Sequence, residues 1–314
     1  MERSYLRTPS GRLRTPWRLL VATVFFVAVS IAGSIAFLAI NGLFFSVEGP
    51  FLIVGLGIAS GIAVAIGVGV AARWLDHRSL RDLGLAVDIE WWRDLAFGLA
   101  LGGGSIAMLY LFGSALGVYR PRFAPAAPDG STVVVGFAVV ALFMCLVGFY
   151  EELVFRGYFL TNVAEGLADF TNMRRATFGA VALSSLGFAL VHGLNPNMSL
   201  LGVGTITVAG IALGLGYVLT GRLALPIGFH ITWNLAHFVF GLPVSGLDLG
   251  VRLFETERVG SALVHGGAVG PEGGVLGLVT TLLGCLVVFL YGRWSSGGAI
   301  RSDIATSPAS RDTE

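Results

Sequence analysis

The sequence contains no lysine, and only 12% of its 314 residues are charged. Its 20 basic residues are all arginines, and 19 acidic residues leave a net charge of +1 at pH 7. No basic cluster is dense enough to follow a phosphate backbone, so nucleic acid is not a predicted partner. The only two cysteines, Cys145 and Cys285, lie within apolar stretches. A disulfide framework and a thiolate metal site are therefore not predicted.

Hydrophobic residues make up 55% of the chain, and the mean hydropathy is +0.81. This composition is too apolar for a soluble domain. About 20 apolar residues are needed to cross a bilayer as a helix. Several long stretches carry no Asp, Glu, Lys or Arg: residues 19–47, 51–72, 95–119, 133–150, 176–221, 223–247 and 273–292. Residues 176–221 are long enough for two helices, so the sequence predicts an all-α, polytopic membrane bundle with about eight transmembrane helices and no β-sheet.

The predicted organisation is one integral membrane domain between two tails. Residues 1–16 are predicted as an N-terminal cytoplasmic tail, 17–292 as the membrane domain with a motif-bearing core at about 80–292, and 293–314 as a disordered cytoplasmic tail. If the loops alternate sides, sixteen arginines fall on one side and four on the other. Because cytoplasmic loops carry the excess of basic residues, we expect a multi-pass protein of the cell membrane with both termini in the cytoplasm.

Three short polar motifs interrupt the apolar stretches: Glu151-Glu152-x-x-x-Arg156, Phe188-x-x-x-His192 and His230-x-x-x-Asn234. An ionisable side chain within a bilayer costs several kcal/mol unless it is paired, hydrated or used. Ionisable or polar side chains lie on three different predicted helices, and one shared site would explain all of them. We interpret them as one buried polar site.

The first motif contains a carboxylate in excess. On a helix, Glu152 and Arg156 are four residues apart in the favourable order, so they can neutralise each other. Glu151 then remains unpaired and could take a proton from water. The alternative is a structural network in which both glutamates bridge to Arg156.

The other two motifs supply nitrogen donors and acceptors. His230 and Asn234 are one turn apart on the same helix face, which suits two donors aimed at one developing oxyanion. His192 could hold a water molecule, and Phe188, one turn earlier, would shield it from lipid or pack the cavity wall. Ordinary hydrogen bonds between helices are the alternative for these polar residues.

The same residues leave two chemistries open. Glu151, His192 and His230 could form a catalytic zinc site with a free position for water. Without metal, Glu151 and His192 would hold the water while His230 and Asn234 stabilise the oxyanion. Asn is not a usual zinc ligand, so no cofactor is favoured and zinc stays an alternative. Either arrangement would hydrolyse a peptide bond.

In this order, the motifs resemble those of the type II CAAX prenyl endopeptidase and bacteriocin-processing family of intramembrane proteases, often called CPBP or Abi. Leu-Gly-Leu at 83–85 and the sequence at 241–246 are also familiar in prokaryotic members. The resemblance implies that Glu151 activates water, His192 helps to position it, and His230 with Asn234 polarises the scissile carbonyl. It implies a peptide or protein substrate within membrane lipid, either a prenylated C-terminal CAAX tail or another peptide.

Two other classes of function are compatible with the same buried polar residues. Buried Glu, His and Arg chains also form proton relays, so a proton-coupled transporter or channel is one alternative. No internal repeat with paired broken helices, as many transporters have, is visible in the sequence. The other alternative is a catalytically silent immunity or binding scaffold of the same fold. The presence of all four candidate catalytic residues argues against it.

One expectation concerns depth in the membrane. If the fourth helix ended near Val154 and the fifth ran from Ala176 to His192, Glu151 and His192 would lie roughly 20 Å apart at about 1.5 Å per residue. They could not then share a water molecule. We therefore predict that the fourth helix starts late and continues past Arg156 towards Val163 or beyond, and that the fifth begins deeper or is displaced.

Overall fold

The computed structural model describes residues 5–8, 11–128, 130–295, 297 and 299–306, and most of these are helical. The α-helices are α1 (Thr15–Phe44), α2 (Gly49–Trp74), α3 (Ile89–Ala115), α4 (Val133–Glu152), α5 (Thr161–Ala168), α6 (Met173–His192), α7 (Leu200–Thr220), α8 (Ala224–Val239), α9 (Ala262–His265) and α10 (Val275–Ser295). A π-helix, Leu153–Leu160, joins α4 to α5 without a break.

Seven helical segments of the described chain are long and apolar enough to cross a membrane, with α4, the π-helix and α5 counted as one. The remaining long helix, α8, has 16 residues and is largely buried among the others. At about 1.5 Å per residue it extends about 24 Å, which is short for a span. The prediction of an all-α, polytopic helical bundle is confirmed, and the eighth predicted span corresponds to this short central helix.

The prediction that no β-sheet would be present is wrong. Strands β1 (Tyr119–Ala126) and β2 (Arg252–Arg258) pair antiparallel, with Tyr119 opposite Arg258 and Phe123 opposite Phe254. The strands follow α3 and α8, where the chain has left the long apolar stretches. Because the backbone there has no helical partners, pairing two connecting segments satisfies its hydrogen bonds.

The long helix 133–168 resolves the depth problem differently from the prediction. It begins at Val133 rather than late, and it does continue past Arg156 to Ala168. After a short turn, α6 packs back against it. Glu151 lies 17 residues before Ala168 (168 − 151), and His192 lies 19 residues after Met173 (192 − 173). The two side chains therefore lie at nearly the same level on adjacent helices.

Helix α8 is held very close to α3 by glycines. A Cβ atom at Gly98 would lie 2.3 Å from the carbonyl oxygen of Leu225, and one at Gly102 would lie 2.2 Å from that of Phe229. Gly228 meets α3 in the same way, 2.4 Å from the carbonyl oxygen of Leu95. Small residues permit this backbone approach, and it fixes the helix that carries His230 and Asn234.

Part of the predicted C-terminal tail packs against the helices, since the N–H of Arg301 donates to the carbonyl oxygen of Val218 at 2.9 Å and Ile304 is buried.

Part of the predicted N-terminal tail is held against the helices by ion pairs. Arg12 is buried and forms an ion pair with Glu165 of α5, which also pairs with Arg78 at 2.8 Å. Arg18 of α1 lies 3.3 Å from Asp76. Burial raises the pKa of the Asp76 carboxyl, although Arg18 and Arg78 act in the opposite direction. This cluster ties the start of the chain to the loop after α2.

Candidate active site

A cavity of about 150 Å³ lies among α4, α6, α7 and α8. Its wall includes all four predicted catalytic side chains: Glu151, His192, His230 and Asn234. Phe188, which was predicted to pack the cavity wall, also lines it. The space is large enough to hold water molecules. The three sequence motifs therefore meet at one site, as their shared polar character predicts.

Glu151 points one carboxylate oxygen at both histidines. Its Oε2 lies 3.7 Å from Nε2 of His192 and 3.8 Å from Nε2 of His230. These distances are too long for direct hydrogen bonds, and Oε2 is buried with no hydrogen-bond partner among the described residues. The other oxygen, Oε1, accepts a hydrogen bond of 3.2 Å from the Tyr150 hydroxyl. The carboxylate is thus held at one end and unsatisfied at the other.

Glu152 forms the predicted pair with Arg156, at 2.8 Å, and both side chains are fully buried. The same oxygen, Oε1, lies 2.8 Å from Nδ1 of His230. The guanidinium of Arg156 stacks over the Phe188 ring, with its central carbon 4.3 Å from the ring centroid. The predicted ion pair therefore also holds His230 in place. Spacing along one helix could not predict this contact, because His230 lies on another helix.

The Nδ1 contacts of the two histidines determine whether Nε2 of each ring is a hydrogen-bond donor or acceptor. Nδ1 of His192 lies 2.9 Å from the backbone carbonyl oxygen of Phe188. A carbonyl only accepts, so Nδ1 carries the proton and Nε2 of a neutral ring is left as an acceptor facing Glu151. Nδ1 of His230 faces a carboxylate in the same way, so its Nε2 donates only when the ring is doubly protonated.

Asn234 lies one turn after His230 on α8, and 9% of the residue is exposed. Its side chain forms no hydrogen bond with the described residues, although it lines the cavity. The amide is therefore left to bond whatever occupies the cavity. Its amide NH₂ can supply the second donor that the sequence pattern predicts.

Several polar residues of the cavity wall were missed by reasoning from the sequence. They are Tyr150, Asn195, Ser245 and Glu272. Asn195 lies in the loop after α6. Glu272 is a single charged residue set among glycines just before an apolar span, and this unusual placement is the signal that could have identified it.

The predicted zinc ligands are Glu151, His192 and His230. Ligand atoms at about 2.1 Å from a tetrahedral metal lie about 3.4 Å apart, and the Glu151 oxygen is 3.7 and 3.8 Å from the two nitrogens. In the part of the chain that the structure describes, no three His, Cys, Asp or Glu side chains are placed to hold a metal ion together. Glu151, His192 and His230 are therefore not grouped as a three-ligand site in this part of the chain.

The fold and site define a polytopic membrane protein with a buried carboxylate and histidine cavity. Residues 133–236, the segment that contains all three motifs, match the family model described as Type II CAAX prenyl endopeptidase Rce1-like. The resemblance to intramembrane proteases of this kind is confirmed, and the family implies a peptidase that acts on a peptide or protein within a lipid environment. A search of curated proteins found no match, and a search of solved structures found none.

Proposed function

We propose that this protein is an intramembrane endopeptidase in which Glu151 activates a water molecule. The observation that carries the proposal is the unsatisfied Oε2 of Glu151, which faces Nε2 of His192 and of His230 at 3.7 and 3.8 Å. A water molecule at a hydrogen-bond distance of about 2.8 Å from two atoms fits between atoms up to about 5.6 Å apart. Glu151 and His192 can therefore share one water, and Nε2 of His230 lies beside it.

In the proposed reaction, the water donates one hydrogen bond to Glu151 and one to Nε2 of His192. Glu151 accepts a proton as the water oxygen bonds to the scissile carbonyl carbon. The resulting oxyanion accepts hydrogen bonds from the Asn234 amide and from Nε2–H of His230. His230 takes this role as an imidazolium, paired through Nδ1–H with Glu152. The carbon–nitrogen bond then breaks, and Glu151 returns its proton to the leaving amine.

Arg156 completes the arrangement without touching the reacting atoms. Its pair with Glu152 balances the buried carboxylate, and its stacking on Phe188 fixes the residue whose carbonyl orients His192. A buried charge is tolerated only when it is paired and hydrogen-bonded. We therefore propose that Arg156 and Glu152 keep both histidines oriented.

The family match motivates the class of substrate. We propose that the substrate is a C-terminal CAAX-type peptide, presented to the cavity from the membrane, and that a prenyl chain is one determinant of its binding. The exposed surfaces of the long helices are apolar, so a lipid-modified peptide would reach the cavity through an environment that suits it.

The test is cleavage by the purified full-length protein of matched CAAX-type peptides, one set prenylated and one set not. Wild-type protein is expected to release the C-terminal tripeptide, and Glu151→Gln is expected to abolish release. Glu255→Gln serves as the matched control, because it removes an exposed carboxylate on β2 that pairs with Arg122 outside the cavity. Cleavage of the non-prenylated set alone would refute the prenyl determinant, and full activity of Glu151→Gln would refute the assigned base.

A further inference from the structure

Glu272 is a second buried carboxylate of the cavity wall, and the proposed reaction does not use it. It lies in a short 3₁₀ helix, Pro271–Gly273, just before α10, and 6% of the residue is exposed. Its Oε1 accepts a 3.0 Å hydrogen bond from Nε1–H of Trp233. Its Oε2 accepts hydrogen bonds of 2.7 Å from both the backbone N–H and the hydroxyl of Ser245. One carboxylate therefore joins α8 to the segment that follows it.

Ser245 needs this support because its backbone is strained. Its φ of 47° lies in the left-handed region, which residues other than glycine seldom adopt. Asn195 donates a 3.1 Å hydrogen bond from Nδ2 to the Ser245 carbonyl oxygen. The next residue, Gly246, donates its N–H to the Val269 carbonyl oxygen at 2.8 Å. Such a conformation persists only where its surroundings determine it.

The segment held in this way forms part of the cavity. Val244, Ser245 and Leu247 all line it, and so does Trp233, the neighbour of Asn234 on α8. None of the described contacts of Glu272 involves Glu151, His192 or His230. Glu272 therefore supports the wall of the cavity rather than the groups that act on water.

We propose that Glu272 is a positioning residue that ties Ser245 to Trp233 and so fixes the wall against which the peptide substrate binds. For the identity of the substrate, this proposal rests on the proposed function. Whether Glu272 fixes the segment around Ser245 can be measured without any substrate. Contacts between the cavity wall and the bound peptide are equally strong in the substrate complex and in the transition state. Loss of such uniform binding raises KM and leaves kcat unchanged.

Glu272→Gln is the informative change, because it retains the size of the side chain. The glutamine amide has one acceptor oxygen, whereas Trp233 and the Ser245 backbone each present a donor to a different oxygen of Glu272. One of these donors must then face an NH₂ group. The expected result is release of the Ser245 segment.

The first measurement is independent of activity. A cysteine is introduced by Leu247→Cys in a chain that also carries Cys145→Ala and Cys285→Ala, and its rate of reaction with a maleimide is measured. Glu272→Gln is expected to raise this rate at least about tenfold, and Glu255→Gln is expected to leave it unchanged. Equal rates in the presence and absence of Glu272→Gln would overturn the proposal, whether or not any peptide is cleaved.

If Glu272→Gln does not fold, Trp233→Phe replaces it. This change removes one donor to Glu272 and keeps both Ser245 contacts, so a smaller increase in the labelling rate is expected.

The second measurement separates KM from kcat on the CAAX-type peptide. Glu272→Gln is expected to raise KM about tenfold and to change kcat less than twofold. A loss of kcat of about a hundredfold with unchanged KM would instead place Glu272 in the chemical step and overturn the positioning role. Absence of cleavage by the wild-type protein would refute the proposed function alone, because the labelling experiment would still report on Glu272.

Discussion

Oε1 of Glu152 lies 2.8 Å from Nδ1 of His230 and equally close to Nη1 of Arg156. One buried oxygen therefore connects the ion pair of the first motif to the histidine of the third. The adjacent Glu151, on the same helix, turns its own carboxylate into the cavity. The two consecutive glutamates thus have different surroundings, and the predictions below separate their roles.

Glu151→Gln is expected to remove peptidase activity and to leave stability unchanged. The amide retains the shape of the side chain but cannot accept a proton from water, a loss that typically costs about 10²–10⁴ in rate. Turnover and the unfolding midpoint in detergent are measured on the same preparation. Near-normal turnover of Glu151→Gln with loss in Glu152→Gln would show that the two glutamates have the opposite roles.

Arg156→Ala is expected to destabilise the protein by about 3–5 kcal/mol, because it leaves the buried Glu152 carboxylate without its cation. The free energy of unfolding is obtained from denaturant titration of the protein in mixed micelles. Arg120→Ala is the control, since Arg120 pairs with Glu257 at the surface and both side chains are exposed. A loss no larger than that of Arg120→Ala would contradict a structural role for the buried pair.

Asn234→Ala is expected to lower kcat by roughly 10²–10³ with little change in KM, as removal of one oxyanion donor does in other enzymes. Steady-state kinetics on the CAAX-type peptide give both constants. Asn195→Ala provides a comparison within the same cavity, because that amide bonds to Ser245 rather than remaining unbonded. An effect of Asn234→Ala on KM alone would assign the residue to substrate binding.

Gly102→Ala is expected to destabilise the bundle by about 1–3 kcal/mol through overpacking, because its Cβ would lie 2.2 Å from the Phe229 carbonyl oxygen. The shift of α8 should also reduce activity, since a displacement of about 1 Å can cost about 10²-fold in rate. Thermal unfolding and turnover are measured together. The control is Gly104→Ala, which has no atom within 4 Å of the added Cβ, and a similar loss in both variants would refute the packing argument.

Metal analysis of the active protein is expected to find far less than one zinc ion per chain, and a strong chelator is expected to leave activity unchanged. The reason is that Glu151, His192 and His230 are not grouped as a three-ligand set in the part of the chain that the structure describes. Stoichiometric zinc that is lost together with activity, and restored with it on re-addition, would overturn the metal-free mechanism while keeping the peptidase proposal.

The sequence was sufficient for the parts of this protein that depend on local composition. Long charge-free stretches predict membrane helices, because only a helix satisfies its own backbone hydrogen bonds in lipid. The spacing of Glu152 and Arg156 predicts their ion pair, because residues four apart share a helix face. The three polar motifs likewise predict a common site, and their order carries the family resemblance that the comparison confirms.

Other features depend on contacts between residues distant in the chain, which local patterns do not specify. The prediction that the fourth helix continues past Arg156 is confirmed, but the π-helix at 153–160 through which it continues was not predicted. The β1–β2 pair joins segments more than a hundred residues apart. Glu272 gives no sign in sequence that it meets Ser245.

Hydropathy and helical spacing are properties of neighbouring residues, so the sequence alone indicates a helical membrane protein whose polar motifs resemble those of a peptidase family. Which nitrogen of each histidine faces the cavity, and which carboxylate is left unsatisfied, depends on the tertiary structure. It also decided which loop completes the wall. Those features arise from the packing of α8 against α4 and of α6 against the π-helix, where a shift of one helical turn would redirect a side chain.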